Sequence, residues 1–214
     1  HSECIKRQNS GANVIDLAEL RFSEGVEFDF TTGAYQTLAP GERILVVQNR
    51  DAFETKYGLG KPIAGEFTGS LSDSGETIKL LKRDGTKLLD VTYNDNGAWP
   101  NRADGLGSSL EAVINTGNLD DPQHWRASTE VHGSPGVAGV GPLSSVVINE
   151  VLTHTDLPDV DAIELFNPTN TTIDLSGWYL SDTNGDYKKF RIPNGTMLAP
   201  LSYLVFDESD FDSS

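Results

Sequence analysis

Arg7-Gln8-Asn9-Ser10-Gly11-Ala12-Asn13-Val14-Ile15-Asp16-Leu17 reappears far along the chain as Leu165-Phe166-Asn167-Pro168-Thr169-Asn170-Thr171-Thr172-Ile173-Asp174-Leu175. The offset is a constant 158 positions, and the first Asn and the Ile-Asp-Leu triplet are identical. Working outward, Leu38-Ala39-Pro40 and the run Ile44-Leu45-Val46-Val47 lie over Leu198-Ala199-Pro200 and Tyr203-Leu204-Val205-Phe206 with only small gaps. Self-similarity on this scale predicts two copies of one structural unit.

The unit reads as all-β. Helical periodicity is almost absent, and the apolar residues come in short runs bounded by Gly, Asn, Asp and Pro. Thr77–Leu81, Leu88–Tyr93, Ser109–Val113, Val146–Val151, Ala162–Phe166 and Tyr203–Phe206 all read as strands. Asp84-Gly85 between two of these runs predicts a hairpin. One short helix is expected over Asp51–Tyr57, closed by Gly58 as a C-cap. Many short strands with frequent turn residues predict a sandwich or barrel.

The two copies are cut differently. Residues 1–139 form a first unit that lacks a counterpart to the strand Val146–Leu152. Residues 140–144 are a linker, within Gly139-Val140-Gly141-Pro142-Leu143-Ser144. Residues 145–214 hold the N-terminal half of a second unit. Half a sandwich exposes unpaired edges, so a fragment of a longer repeat protein is expected. Val146 to Leu152 is expected either to complete the first sandwich in cis or to pair in trans as a strand-swapped homo-oligomer.

Composition narrows the function classes. With 32 acidic against 16 basic residues the net charge is −16, which opposes binding to nucleic acid and to anionic membrane leaflets. No stretch approaches the roughly 20 apolar residues of a membrane span. Cys4 is the only cysteine, so an intrachain disulfide and thiolate metal sites are excluded.

The motifs in their order resemble the lamin tail domain, an immunoglobulin-like β-sandwich, and in particular its bacterial members. The second copy carries the opening pattern Ile148-Asn149-Glu150-Val151, Ala162-Ile163-Glu164-Leu165-Phe166-Asn167, Ile173-Asp174-Leu175-Ser176-Gly177-Trp178 and Leu180-Ser181-Asp182. The first carries the later pattern, including Ser74-Gly75-Glu76, Ala98-Trp99-Pro100, Ala103-Asp104-Gly105-Leu106-Gly107-Ser108-Ser109-Leu110-Glu111, Trp125-Arg126-Ala127-Ser128 and Gly133-Ser134-Pro135-Gly136. The first copy departs at Glu19-Leu20, where the family has Gly-Trp, and Ile5-Lys6-Arg7-Gln8 is more basic than Ile163-Glu164-Leu165-Phe166. The resemblance implies two tandem incomplete immunoglobulin-like copies, and a non-catalytic module that tethers or recognises proteins or cell-surface components. It implies a larger bacterial protein that is secreted, periplasmic or displayed on the cell surface.

No catalytic constellation stands out. The histidines, His1, His124, His132 and His154, lack zinc-site spacing, and Pro135 spoils a nucleophile elbow at Ser134. Asp182-Thr183-Asn184-Gly185-Asp186 alternates oxygen ligands around a Gly, so Asp182, Asn184 and Asp186 are a calcium candidate. The distal Glu of such a loop is replaced by Pro193. A second acidic stretch, Asp156-Leu157-Pro158-Asp159-Val160-Asp161 with His154, could also hold a cation. Two further classes stay open: an accessory carbohydrate-binding module with a platform of Trp178, Trp99 and Tyr93, and a calcium-stabilised structural spacer. A hydrolase would need Glu150, Asp161 and Glu164 to converge in a cleft. The basic hairpin residues Lys79, Lys82, Arg83 and Lys87 read as a solvated face.

Overall fold

The alternating runs fold as strands. The computed structural model describes residues 2–114, 117–141, 145–153, 160–183 and 186–211. The chain divides into two compact units, His1–Val140 and Gly141–Ser214.

In the first unit the strands are β1 (Cys4–Gln8), β2 (Ile15–Asp16), β3 (Leu20–Glu24), β4 (Val26–Asp29), β5 (Thr37–Leu38) and β6 (Arg43–Val47). Helix α1 (Arg50–Tyr57) follows, then β7 (Ile63–Glu66), β8 (Thr68–Gly69), β9 (Gly75–Lys82), β10 (Lys87–Asn94), β11 (Leu110–Ala112) and β12 (Trp125–Ala127). Asn49 caps α1 by accepting from the Ala52 amide, and Gly58 ends it at φ +81, a value that glycine adopts without steric cost.

Two sheets make the sandwich, one ordered β1-β6-β7 and the other β10-β9-β3-β4-β8. Ile44 and Val46 of the first meet Phe22, Phe28, Ile78, Leu80 and Val91 of the second in one core. The odd residues of β6 face the other way. Leu45 and Val47 pack under α1 with Phe53 and Ile63, and all of Ile44–Val47 is buried. A strand covered on both faces is why this run is continuously apolar rather than alternating. Gly65 has a packing reason as well: a Cβ there would sit 2.5 Å from the Phe28 ring.

The second unit holds β13 (Val147–Leu152), β14 (Ala162–Phe166), β15 (Ile173–Asp174), β16 (Tyr179–Leu180), β17 (Phe190–Arg191), β18 (Met197–Leu198), β19 (Tyr203–Asp207) and a single helical turn, α2 (Glu208–Phe211). Its sheet is ordered β13-β14-β19. Leu165, Leu175, Ile192, Leu198 and Phe206 form its core, with Trp178 and Phe190 packed against them. Here β19 does alternate: Phe206 is buried while Tyr203 and Val205 are about half exposed. Only one face of this sheet is covered.

One expectation changes. Of the two pairings expected for Val146–Leu152, completion of the first sandwich in cis is not adopted: the strand pairs with β14 of its own unit, from Val147 opposite Phe166 to Leu152 opposite Ala162. The sequence of β14, Ala-Ile-Glu-Leu-Phe, offers apolar cross-strand partners for it where β1 offers Lys6 and Arg7, and adjacent antiparallel strands pair at the lowest loop cost.

Candidate functional site

Both units are built on the same asparagine. As the chain leaves β1, Asn9 turns its side chain inward; Nδ2 donates to the Asn13 carbonyl at 2.8 Å and to the Leu38 carbonyl at 2.8 Å, and Oδ1 accepts from the Gly11 amide. Asn167 does the same after β14, donating to Thr171 and Leu198 and accepting from the Thr169 amide. Each is essentially unexposed. The side chain thereby stands in for ladder partners where two strands part, which keeps the buried carbonyls of Leu38 and Leu198 satisfied.

The registers around it also coincide. Cys4 faces Val47 and Gln8 faces Arg43, just as Ala162 faces Asp207 and Phe166 faces Tyr203. Ile15 faces Leu38, as Ile173 faces Leu198. Asp16 and Asp174 each accept from the amide two residues on.

Residues 141–213 match the Lamin Tail Domain family. The match lies within the second unit, which is similar to that family, one of immunoglobulin-like fold. No curated protein and no solved structure matches the chain.

The first unit holds a polar cluster of its own. Glu111 of β11 is 8% exposed. It accepts from Ser134 Oγ at 2.6 Å and from Arg126 at 3.0 Å, and Lys6 Nζ lies 3.7 Å away. Lys6 Nζ itself donates to Ser134 Oγ at 2.7 Å and to the carbonyls of Ser134 and Val137. A serine between a lysine and a carboxylate resembles a nucleophile with its base, but the bonding runs the wrong way. Burial lowers the Lys6 pKa and the Glu111 charge opposes that shift, but Nζ points its donors at three oxygens, which leaves it no lone pair toward Ser134 Oγ in this arrangement. Ser134 is 6% exposed, which closes it to substrate. Burial opposes the Glu111 charge, yet the bonds from Ser134 and Arg126 and the Lys6 charge outweigh it and hold its carboxyl below the usual range. The cluster clamps residues 133–137 against β1 and β11.

The residues singled out from sequence are dispersed. Asp182 pairs with Lys189 at 2.6 Å, Asp186 Oδ1 accepts from the Lys188 amide, and Asn184 lies outside the described residues. So do His154 and Asp156 to Asp159. Among the described residues no cluster of three or more potential ligands is found. Trp99 is buried against Trp125 with ring centroids 6.0 Å apart, and Tyr93 donates its hydroxyl to the Ser72 carbonyl. Neither is free to form a sugar platform. The basic hairpin is largely neutralised: Lys79 pairs with Glu24, Arg83 with Asp29 and Lys87 with Asp90. Glu150 and Glu164 do face each other across β13 and β14, but on an open strand pair rather than in a cleft. Burial raises the Cys4 thiol to about 11, so it is a poor nucleophile at neutral pH.

What remains unpartnered is sheet. Every residue of β13 is exposed, and on the open face Val147, Leu152, Tyr203 and Val205 are each at least 40% accessible. The corresponding face of the first unit is the one sealed by Phe53 and Ile63. Sequence reasoning missed the Glu111 cluster; its one visible signal was Lys6, basic where the second unit has Glu164. Among the described residues no helix is long and apolar enough to cross a membrane.

Proposed function

We propose that the chain is a non-catalytic interaction and tethering module, two lamin-tail-type copies within a larger exported or cell-surface bacterial protein. The coincident registers around Asn9 and Asn167 support the two-copy reading. One observation carries the function: the available apolar surface is a sheet face and its edge, Val147, Leu152, Tyr203 and Val205, whereas the buried polar groups are engaged in holding the fold. An uncovered sheet face that mixes apolar residues with Glu150, Glu164 and Asp207, beside an edge strand, suits association with another protein. The partners are proteins or cell-surface components, and a second copy of the chain through Val146 to Leu152 is one of them.

The other readings each demand a rearrangement. A carbohydrate-binding module would have to expose Trp99, and a calcium-stabilised spacer would have to take Asp182 from Lys189. The test is retention on the cell envelope of the source organism by wild type and by a Tyr203→Asp/Val205→Asp variant. Loss of about tenfold or more in retention, at an unchanged melting temperature, is expected. Retention equal to wild type would sink the reading.

A further inference from the structure

We propose that the open sheet face of the second unit is covered by a basic amphipathic helix of another protein. Its apolar row lies on Tyr203 and Val205, and its cations meet Glu164 and Glu150. The inference rests on the reading of the chain as an interaction module and names the chemistry of the partner.

The first unit shows what such a face takes. Strands β1 and β6 pair in the register that β14 and β19 share, so that Lys6 faces Leu45 where Glu164 faces Val205. In the first unit both members of this pair are covered. Leu45 is sealed beneath α1 with Phe53, while Lys6 meets the Glu111 carboxylate and the Ser134 hydroxyl. In the second unit Val205 is 51% exposed, and Glu164 accepts a bond from Asn149. The charge at the centre of the face is thus reversed in sign: a lysine that is covered by an acid becomes an acid that calls for a base.

The surroundings strengthen that demand. Glu150 faces Glu164 directly across the strands, a like-charge pair that is unfavourable. Asp207, two residues beyond Val205 on β19, stands on the same face. None of these three carboxylates has an ion pair among the described residues. A lysine or arginine set between Glu150 and Glu164 removes their repulsion and adds charge-assisted hydrogen bonds. Beside them the Tyr203 ring stacks on Phe166 with centroids 4.5 Å apart, a fixed aromatic step for an apolar row to pack on. A face offers side chains, which suits a helix, whereas the free edges of β13 and β19 would add a strand. A second copy presenting this same face would set carboxylate against carboxylate, and the net charge of −16 repels nucleic acid and anionic leaflets.

A synthetic helix with one leucine face and one lysine face, titrated into the isotopically labelled full chain at physiological salt and followed by NMR, tests the assignment. Saturable binding is expected, with the largest shifts at Glu164, Tyr203 and Val205. Glu164→Lys should weaken it about tenfold or more and should confer binding of the charge-reversed leucine–glutamate helix. This variant turns the like-charge pair with Glu150 into an opposite one, so it should melt no lower than wild type and its loss of binding will not be unfolding. Glu27→Lys, at an exposed position of β4 in the first unit, makes the same change in net charge and should bind as wild type does. A lysine helix that fails to saturate, or that binds the Glu164→Lys variant as well as wild type, would overturn the proposal. So would a scrambled peptide of the same composition that binds equally. Envelope retention lost on Tyr203→Asp/Val205→Asp but kept on Glu164→Lys would overturn the basic helix alone and leave the interaction reading standing.

Discussion

Replacing Asn167 by aspartate is expected to unfold the second unit at neutral pH. The native amide donates to the carbonyls of Thr171, Leu198 and Ala199 at 2.8, 3.1 and 2.9 Å, in a site with no solvent exposure. A carboxylate has nothing to donate. It would meet three carbonyl oxygens with its own lone pairs while stripped of water, at a cost of about 4 kcal/mol or more. The pH dependence follows from which form the fold tolerates. Only the protonated acid can donate a bond there, so its folded pKa lies above its unfolded value near 4. The residual stability is therefore full below that unfolded value and is lost as pH rises through the folded one. Asn167→Ala removes the donor without adding charge and should cost about 2–3 kcal/mol. Fluorescence of Trp178, the only tryptophan in the second unit, reads both. An aspartate variant as stable at neutral pH as the alanine variant would contradict the account.

Glu111→Ala is the second large effect, expected to cost the first unit about 3 kcal/mol. The carboxylate is nearly buried while its two cations stay about a quarter exposed, Lys6 at 25% and Arg126 at 27%. That residual exposure keeps the cost at the low end for breaking a buried pair. The loss should localise: residues 133–137 should become protease-sensitive first, since the Lys6 and Ser134 bonds that hold them converge on this carboxylate. Wild type should show the same weakness in acid. The folded carboxyl titrates below its unfolded range, so its stabilisation is complete above that range and is lost as pH falls through the folded value. Thermal melts at neutral and acid pH check both statements. A Glu111→Ala variant whose melting falls no faster at neutral than at acid pH, relative to wild type, would contradict them.

Much of the fold was legible because it depends on neighbours in sequence. Asp84-Gly85 and Gly58 mark their turns by backbone conformation alone, with glycine φ values of +88 and +81. Alternation marked β9 and β10 as strands because one side of each meets the core. The double-sided burial of Ile44–Val47 could not be read this way. Tyr203-Leu204-Val205-Phe206 is equally apolar, yet Val205 stands half exposed where Leu45 is sealed under α1, and only tertiary packing separates the two.

The repeated asparagine was visible as an identity but not as a hinge of hydrogen bonds, since its acceptor Leu38 lies 29 positions away. Lys6 and Ser134 are 128 positions apart, beyond any local pattern, so their cluster emerged only from the fold. The strand Val146–Leu152 was recognised, but its pairing within the first unit was not what the chain adopts. Edge strands are set by which neighbour offers apolar partners, a choice that period-two patterning leaves open.

The central claim is that one asparagine-anchored frame is used twice in this chain. Hydrogen exchange of side-chain carboxamides, followed by NMR on the full chain, tests it most directly. The account predicts that the Nδ2 protons of both Asn9 and Asn167 are strongly protected and are released only as their own unit opens. Rapid exchange at either one, with its unit still folded, would contradict it.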